Sequence, residues 1–531
     1  MAHADPRALS LLLQLHDDLL FLRAFPDDAG IHALAADGLR HVAVMLRRLP
    51  AARRTAADDS GMDGTTSRHT FEHPIARWLA RKFPHDVEID WKHLDDSSRL
   101  DALIHPVVQV AELDAFESEA LPTAAWMAEA RGDACPSDLQ WLLDAGDAIS
   151  RRAPRAFAAA YDSAAVPVAW RLDGSWASAT RNEMTLAPPA FRNRMRAAPA
   201  RPVRHVATPL MPISLLERTP AVEMIDVARA ALAARCREVY AISYANPDEV
   251  WLADLGDGAT LAIIGATADS RLSLESNYGY LLLANGVPIG YGGVTPLFHQ
   301  ANTGINIFEP FRRSEAPFLW VQMLRAFSTL FGVRRFVVNA YQFGAGNAEA
   351  IQSGAFWFYY RLGFRPVIAG TRRLAAKEYA RIGRKSAYRS TPATLRALAT
   401  CDLHLTLPGY PRKAFFDERW LERTGVHATR LIASEEGATR AASAARIAAR
   451  VATALGARPS SWPDAERTAF ARLAPVVALL PTVARWRRSD REALVELMRA
   501  KGRAHEREFV RLAQTNPRFF EALIARVRNA Q

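Results

Sequence analysis

Two carboxylates and two guanidinium groups crowd one short stretch, Glu309-Pro-Phe-Arg-Arg-Ser-Glu315. A partly buried glutamate with a raised pKa can act as a general base, directly or through water. Glu309 and Glu315 are the carboxylates placed to do so, and Glu309 can instead pair with Arg312 or Arg313. A second group, His69-Thr-Phe-Glu72-His73, sets two imidazoles four residues apart, as on one helix face. Metal sites of that spacing need a third ligand and an unbroken helix. Pro74 follows at once and no third ligand is evident, so no metal is expected here. The loop Gly344-Ala-Gly-Asn347 holds a lone Gly-x-Gly, which does not specify phosphate. The chain carries no Gly-x-Ser-x-Gly elbow, Walker loop, Gly-x-Gly-x-x-Gly before a helix or paired-His zinc motif.

These residues need a scaffold, and the pattern after Pro212 supplies one. Residues 222–239 read as an amphipathic helix and 260–265 as a strand ending at Gly265. Residues 278–284 and 287–294 are apolar runs flanking Asn285-Gly286, the strongest local hairpin signal because both residues tolerate positive φ. Residues 304–308 and 335–340 are further strands, with a helix over 316–331 between them. An aromatic helix over 352–362 stops at Gly363, and a last strand starts at Phe364. The expected fold class is therefore α/β, a central mixed sheet flanked by helices, over residues 213–370. Asn339, Tyr341 and Gln342 would end the fifth strand and line its cleft.

The element order and two blocks resemble the GNAT superfamily of acyl-CoA-dependent N-acyltransferases. One block is Gln352-Ser-Gly-Ala-Phe-Trp-Phe-Tyr-Tyr-Arg-Leu-Gly-Phe364, where Ala355, Tyr359, Gly363 and Phe364 match the family pattern and Gln352 replaces its Asn. The other is the hairpin over 279–293. The resemblance implies transfer of an acyl group from acetyl-CoA or another acyl-CoA to an amine acceptor, a small molecule or a peptide. It implies Tyr359 as the acid that protonates the leaving thiolate and Glu309, nearest the fourth strand, as the base. Tyr359 also reads as one of five consecutive core aromatics, Phe356 to Tyr360. The family holds the CoA pyrophosphate on an Arg/Gln-x-x-Gly-x-Gly/Ala turn that opens a helix, where free N–H groups attract phosphate. The corresponding turn starts at Arg313, and the resemblance implies Arg312, Arg313, Ser314 and Ala316 as the residues that would hold the cofactor. That turn diverges: Ala316 and Phe318 stand at the glycine positions and Pro317 has no N–H to offer. The alternative function is accordingly a binding or scaffold protein that keeps the fold without catalysis.

The flanks read as mainly helical. Residues 1–190 form an acidic region with apolar residues at helical spacing from Leu11 to Leu22, and 191–212 is a Pro/Ala/Arg-rich linker. Residues 371–531 form a basic helical region, with Ser489 and Glu492 spaced as a capping box. Net charge is −11 over 1–150, +4 over 151–350 and +18 over 351–531, so contact between the acidic and basic ends of the chain is expected. The basic third lacks the aromatic interleaving of single-strand binders and a helix-turn-helix, which argues against nucleic acid. Arginine supplies 61 of the 67 basic residues, beside abundant alanine; this reads as a high-GC bacterial coding bias and weakens any inference from arginine alone. Three scattered cysteines exclude a disulfide framework and fit a reducing cytoplasm, and no run is apolar enough to span a membrane. No secretory signal is evident.

Overall fold

The computed structural model describes residues 6–118, 120–150, 155–208, 211–312, 315–385, 387–411 and 415–528. The chain divides into two compact units. Unit 1 comprises Met1–Asn193, Glu223–Tyr244 and Ala284–Pro288; unit 2 comprises Arg194–Val222, Ala245–Leu283 and Ile289–Gln531.

Unit 1 begins with the helices Pro6–Ala24 and Ala29–Arg47, which pack on each other. Asp28 caps the second by accepting the Ile31 N–H at 2.8 Å. Three short strands then form an antiparallel sheet in the order β1-β3-β2: β1 (Thr66–His69), β2 (Val87–Ile89) and β3 (Val168–Arg171). Trp170, Tyr161 and Phe71 fill the core between this sheet and the helices His73–Lys82, Asp138–Ser150 and Ala156–Ala164. Gly146 lets the Phe157 ring approach, since a Cβ there would lie 2.1 Å from that ring. The sequence pattern does not announce these strands; each has only three or four residues, too few to display an alternation.

Unit 2 is built on a ten-stranded mixed sheet. Its strands are β4 (Ile213–Leu215), β5 (Ala245–Gly256), β6 (Ala259–Ala266), β7 (Tyr278–Ala284), β8 (Val287–Leu297), β9 (Gln300–Thr303), β10 (Asn306–Ile307), β11 (Arg335–Val338), β12 (Arg365–Pro366) and β13 (Leu403–Thr406). They run in the order β12-β13-β11-β9-β8-β7-β6-β5-β4, with β10 also on β8. Strands β9 and β11 are parallel, with Phe336 opposite Ala301. A parallel neighbour needs a crossover, and the helix Ala316–Phe331 provides it. That helix is buried on most of its circumference by Leu319, Trp320, Met323, Leu324, Phe327 and Leu330, and stops at Gly332, whose φ is +69°.

The Asn285-Gly286 turn is present, with φ of +46° and +80°. The expected strands at 260–265 and 335–340 and the helix over 316–331 are also present, within a few residues at their ends. The aromatic helix breaks in two at Gly354 (φ +66°), giving Ala348–Ser353 and Ala355–Arg361. The twelve-residue β5 and the late strand β13 fall where no strand is expected, and β13 inserts between β11 and β12. Arg487, not Ser489, occupies the N-cap position of the helix Arg488–Ala500 without a side-chain capping bond, and Glu492 pairs with Arg488 at 2.8 Å.

C-terminal helices in unit 2 share a core with Phe298, Phe416, Phe470, Phe509 and Phe519. The buried Glu249 of β5 fixes the start of the helix Glu506–Gln514, accepting the N–H groups of Glu506 and Arg507 at 2.8 and 3.0 Å. No helix among the described residues is long and apolar enough to cross a membrane.

Candidate functional site

Tyr359 lies on the helix Ala355–Arg361 and is 3 % exposed. Trp320, Phe343, Phe358 and Phe364 surround its ring, with centroids 5.1–6.4 Å away. Burial raises its pKa, opposed by a hydrogen bond to the backbone of Ile305. Ile305 lies between β9 and β10, and the Tyr280 hydroxyl donates to the adjacent Gly304 carbonyl. Gly304 is open to this packing: a Cβ there would meet Gln342 Oε1 at 2.6 Å.

The other sequence candidates are dispersed around the start of the Ala316–Phe331 helix. Glu309 is exposed, on a single 3₁₀ turn, so it lacks the burial that would make it a base. Arg312 is exposed and pairs with Glu349 at 2.7 Å. Arg313 and Ser314 lie outside the described residues. Ala316 opens the helix and Pro317 follows within its first turn. Glu315, at the N-cap position, is 1 % exposed. Its carboxylate accepts Arg196 Nε at 2.6 Å and the Arg196 backbone N–H at 3.2 Å. Arg196 also stacks 4.0 Å from the centre of the Phe318 ring and donates to the Gly256 carbonyl at 3.1 Å. A carboxylate is therefore the anion at this helix N-terminus, where negative charge is favoured.

His69 and His73 do not share a helix: His69 ends β1, and His73 starts the helix His73–Lys82. His73 is buried between the Phe157 and Tyr161 rings at 5.6 and 5.7 Å. No group of three His, Cys, Asp or Glu among the described residues could hold a metal ion. Asn347 caps the helix Ala348–Ser353 through the Ala350 N–H, so the glycine loop is a capping turn. Asn339 likewise accepts the Tyr341 N–H, while Tyr341 is exposed.

A polar cluster absent from the sequence reading lies on one face of β9, β11 and β13. Asn302 of β9 donates to Glu418, and its own Oδ1 is buried without a partner. Asp402, just before β13, accepts the Ala340 N–H at 3.0 Å. Burial, then Asp402, Glu275 and Asp417, push Glu418 up to about 7. Burial, opposed by the Ala340 N–H, also raises Asp402. Burial and Arg335 push His404 of β13 down to about 4, so it is neutral near pH 7. A carboxylate titrating near neutrality beside three others can exchange a proton. Register brings these residues together across about a hundred positions, which no local motif records.

No family model, curated protein or solved structure matches the chain.

Proposed function

We propose that the chain works by binding, on a GNAT-like sheet that has lost its acyl-CoA site. The observation that carries this reading is the buried Glu315–Arg196 pair at the start of the Ala316–Phe331 helix. A diphosphate brought there would face a fixed carboxylate and a proline without an N–H. Calorimetric titration of the full chain with acetyl-CoA and with a longer acyl-CoA tests it. No saturable heat is expected from either ligand. Saturable binding that disappears in an Arg312→Ala/Arg313→Ala variant would overturn it.

The second reading is an acyl-CoA-dependent N-acyltransferase. It is favoured by the parallel β9–β11 pair with its helical crossover and by Glu418, which can take a proton from an amine acceptor. Under this reading the base is Glu418 rather than Glu309, because Glu418 combines burial with a pKa near neutrality. Acyl transfer to an amine that is lost in Glu418→Gln and kept in Glu309→Gln would support it.

A further inference from the structure

In unit 1 a cavity of about 290 Å³ opens between the helices His73–Lys82 and Arg218–Ala233. It is near the lower end of small-ligand sites, roughly 300–1,000 Å³. Pro74, Arg77, Trp78, Arg81 and Lys82 line it from the first helix, at the spacing of one helix face; Asp226 and Arg229 line it from the second.

The charges around this cavity do not balance. Four cations, Arg77, Arg81, Lys82 and Arg229, meet two carboxylates. Asp147 Oδ2 is shared by Arg77 Nη2 at 2.5 Å and Arg81 Nη2 at 3.0 Å. Asp226 is occupied by Lys82 Nζ and Trp78 Nε1, both at 2.8 Å. Among the described residues Arg229 has no carboxylate in hydrogen-bond contact. It donates Nε to the Ile242 carbonyl at 3.1 Å and Nη2 to the Ser243 carbonyl at 2.9 Å. Burial lowers its pKa, opposed by the charge of Asp226.

The guanidinium donors are also incompletely used. Each has five N–H bonds in a fixed fork. Arg77 Nε is buried and makes no hydrogen bond. Buried polar atoms normally have partners, and a spare donor among partly exposed cations at the rim of a cavity is open to an anion. Two unbalanced positive charges, spare guanidinium donors and an indole wall together describe the complement of an aromatic phosphate monoester. The dianion would restore neutrality and accept the spare N–H bonds, and its ring would lie against Trp78.

We propose that this cavity is a binding site for a phosphate monoester carrying a flat apolar group. Calorimetric titration of the full chain with phenyl phosphate tests this, with phenyl sulfate, a monoanion of similar shape, as the comparison. Saturable one-to-one binding of phenyl phosphate is expected, tighter than that of phenyl sulfate. Arg77→Gln/Arg81→Gln is expected to weaken it at least about tenfold, through loss of charge-assisted donors. These side chains are partly exposed, so the variant should keep its circular dichroism and melting temperature. Arg229→Met is expected to weaken binding by a similar factor. Arg472→Gln, an arginine outside the cavity, should bind as the wild type does. Absence of saturable heat, equal affinity for the two probes, unchanged affinity in the double variant, or equal loss in Arg472→Gln would each overturn the proposal.

Discussion

Arg196 and Glu315 form a buried ion pair, 2.6 Å apart, that closes the N-terminal end of the sheet's crossover helix. A side chain from residues 191–212 thus makes a specific contact in unit 2, and Glu315 is held away from water. Removing Arg196 takes from the buried Glu315 carboxylate the donor it accepts at 2.6 Å, and breaking a pair of this kind typically costs about 3–5 kcal/mol. Arg196→Met is therefore expected to destabilise the protein by an amount in that range, measured by urea unfolding. Adding Glu315→Leu to it should recover a large part of the loss, since the buried carboxylate that lost its arginine is gone. If Arg196→Met alone costs nothing, the pair is not buried in solution.

The same logic applies more strongly to Glu249. Its carboxylate is fully buried and accepts the Tyr278 hydroxyl at 2.8 Å, Arg271 Nη2 at 3.3 Å and two backbone N–H groups. Arg271 in turn donates to the carbonyls of Lys501, Arg503 and Ala504, so one arginine gathers the turn before the helix Glu506–Gln514. A hydrogen bond to a charged group is worth about 1.5–3 kcal/mol, and Tyr278→Phe should lose that much. Arg271→Met should lose more, because Glu249 is left with less compensation and three carbonyls lose their donor. Limited proteolysis should then cut first between residues 500 and 506.

Glu418 makes stability depend on pH with a definite sign. Its folded pKa is about 7, whereas an unfolded glutamate ionises near ~4.3. The folded state therefore binds the proton more tightly. That contribution is full below ~4.3 and is lost as the pH rises through about 7. Glu418→Gln keeps an oxygen to accept from Asn302 and cannot ionise. The melting temperature of the wild type should fall relative to this variant between about pH 5 and about pH 8. A difference that is constant over this interval would mean that Glu418 titrates as an exposed residue does.

Which parts were legible from the sequence follows from the range of the interactions that fix them. Asn285-Gly286 is local, because positive φ is a property of those two residues, and the hairpin appears in place. The helix over 316–331 has a long periodic pattern and a glycine stop, and its ends agree with the sequence reading. Strand β13 has four residues and no alternation beyond its neighbours; it is a strand because β11 and β12 offer it hydrogen bonds. The candidate site divides in the same way. Tyr359 is recognisable by its spacing from Gly363, and its burial follows from the aromatic run around it. The Asp402–Glu418 cluster depends on sheet register and on the Asn302–Glu418 hydrogen bond, 116 positions apart in sequence. The Glu315–Arg196 pair joins residues more than a hundred positions apart. Glu315 was visible as a carboxylate, but nothing in the sequence pointed to its partner.

Tyr359 separates packing from chemistry. Its ring fills the space among Trp320, Phe343 and Phe364, and its hydroxyl makes one neutral hydrogen bond to the Ile305 backbone. Tyr359→Phe keeps the ring and should cost only about 0.5–1.5 kcal/mol. Tyr359→Ala removes the ring and should cost about 3–5 kcal/mol, the range for aromatic truncation in a core. Urea unfolding of the two variants gives both numbers, and comparable losses would mean that the hydroxyl, not the ring, is what the site needs. Should the chain prove to transfer an acyl group, the same Tyr359→Phe protein decides the acid's identity. A general acid is worth roughly 10²- to 10⁴-fold, so kcat would fall by a factor in that range while the fold remains intact. Under the binding reading there is no such rate to lose, and ligand affinity at the Arg77–Arg229 cavity should be the same in Tyr359→Phe as in the wild type.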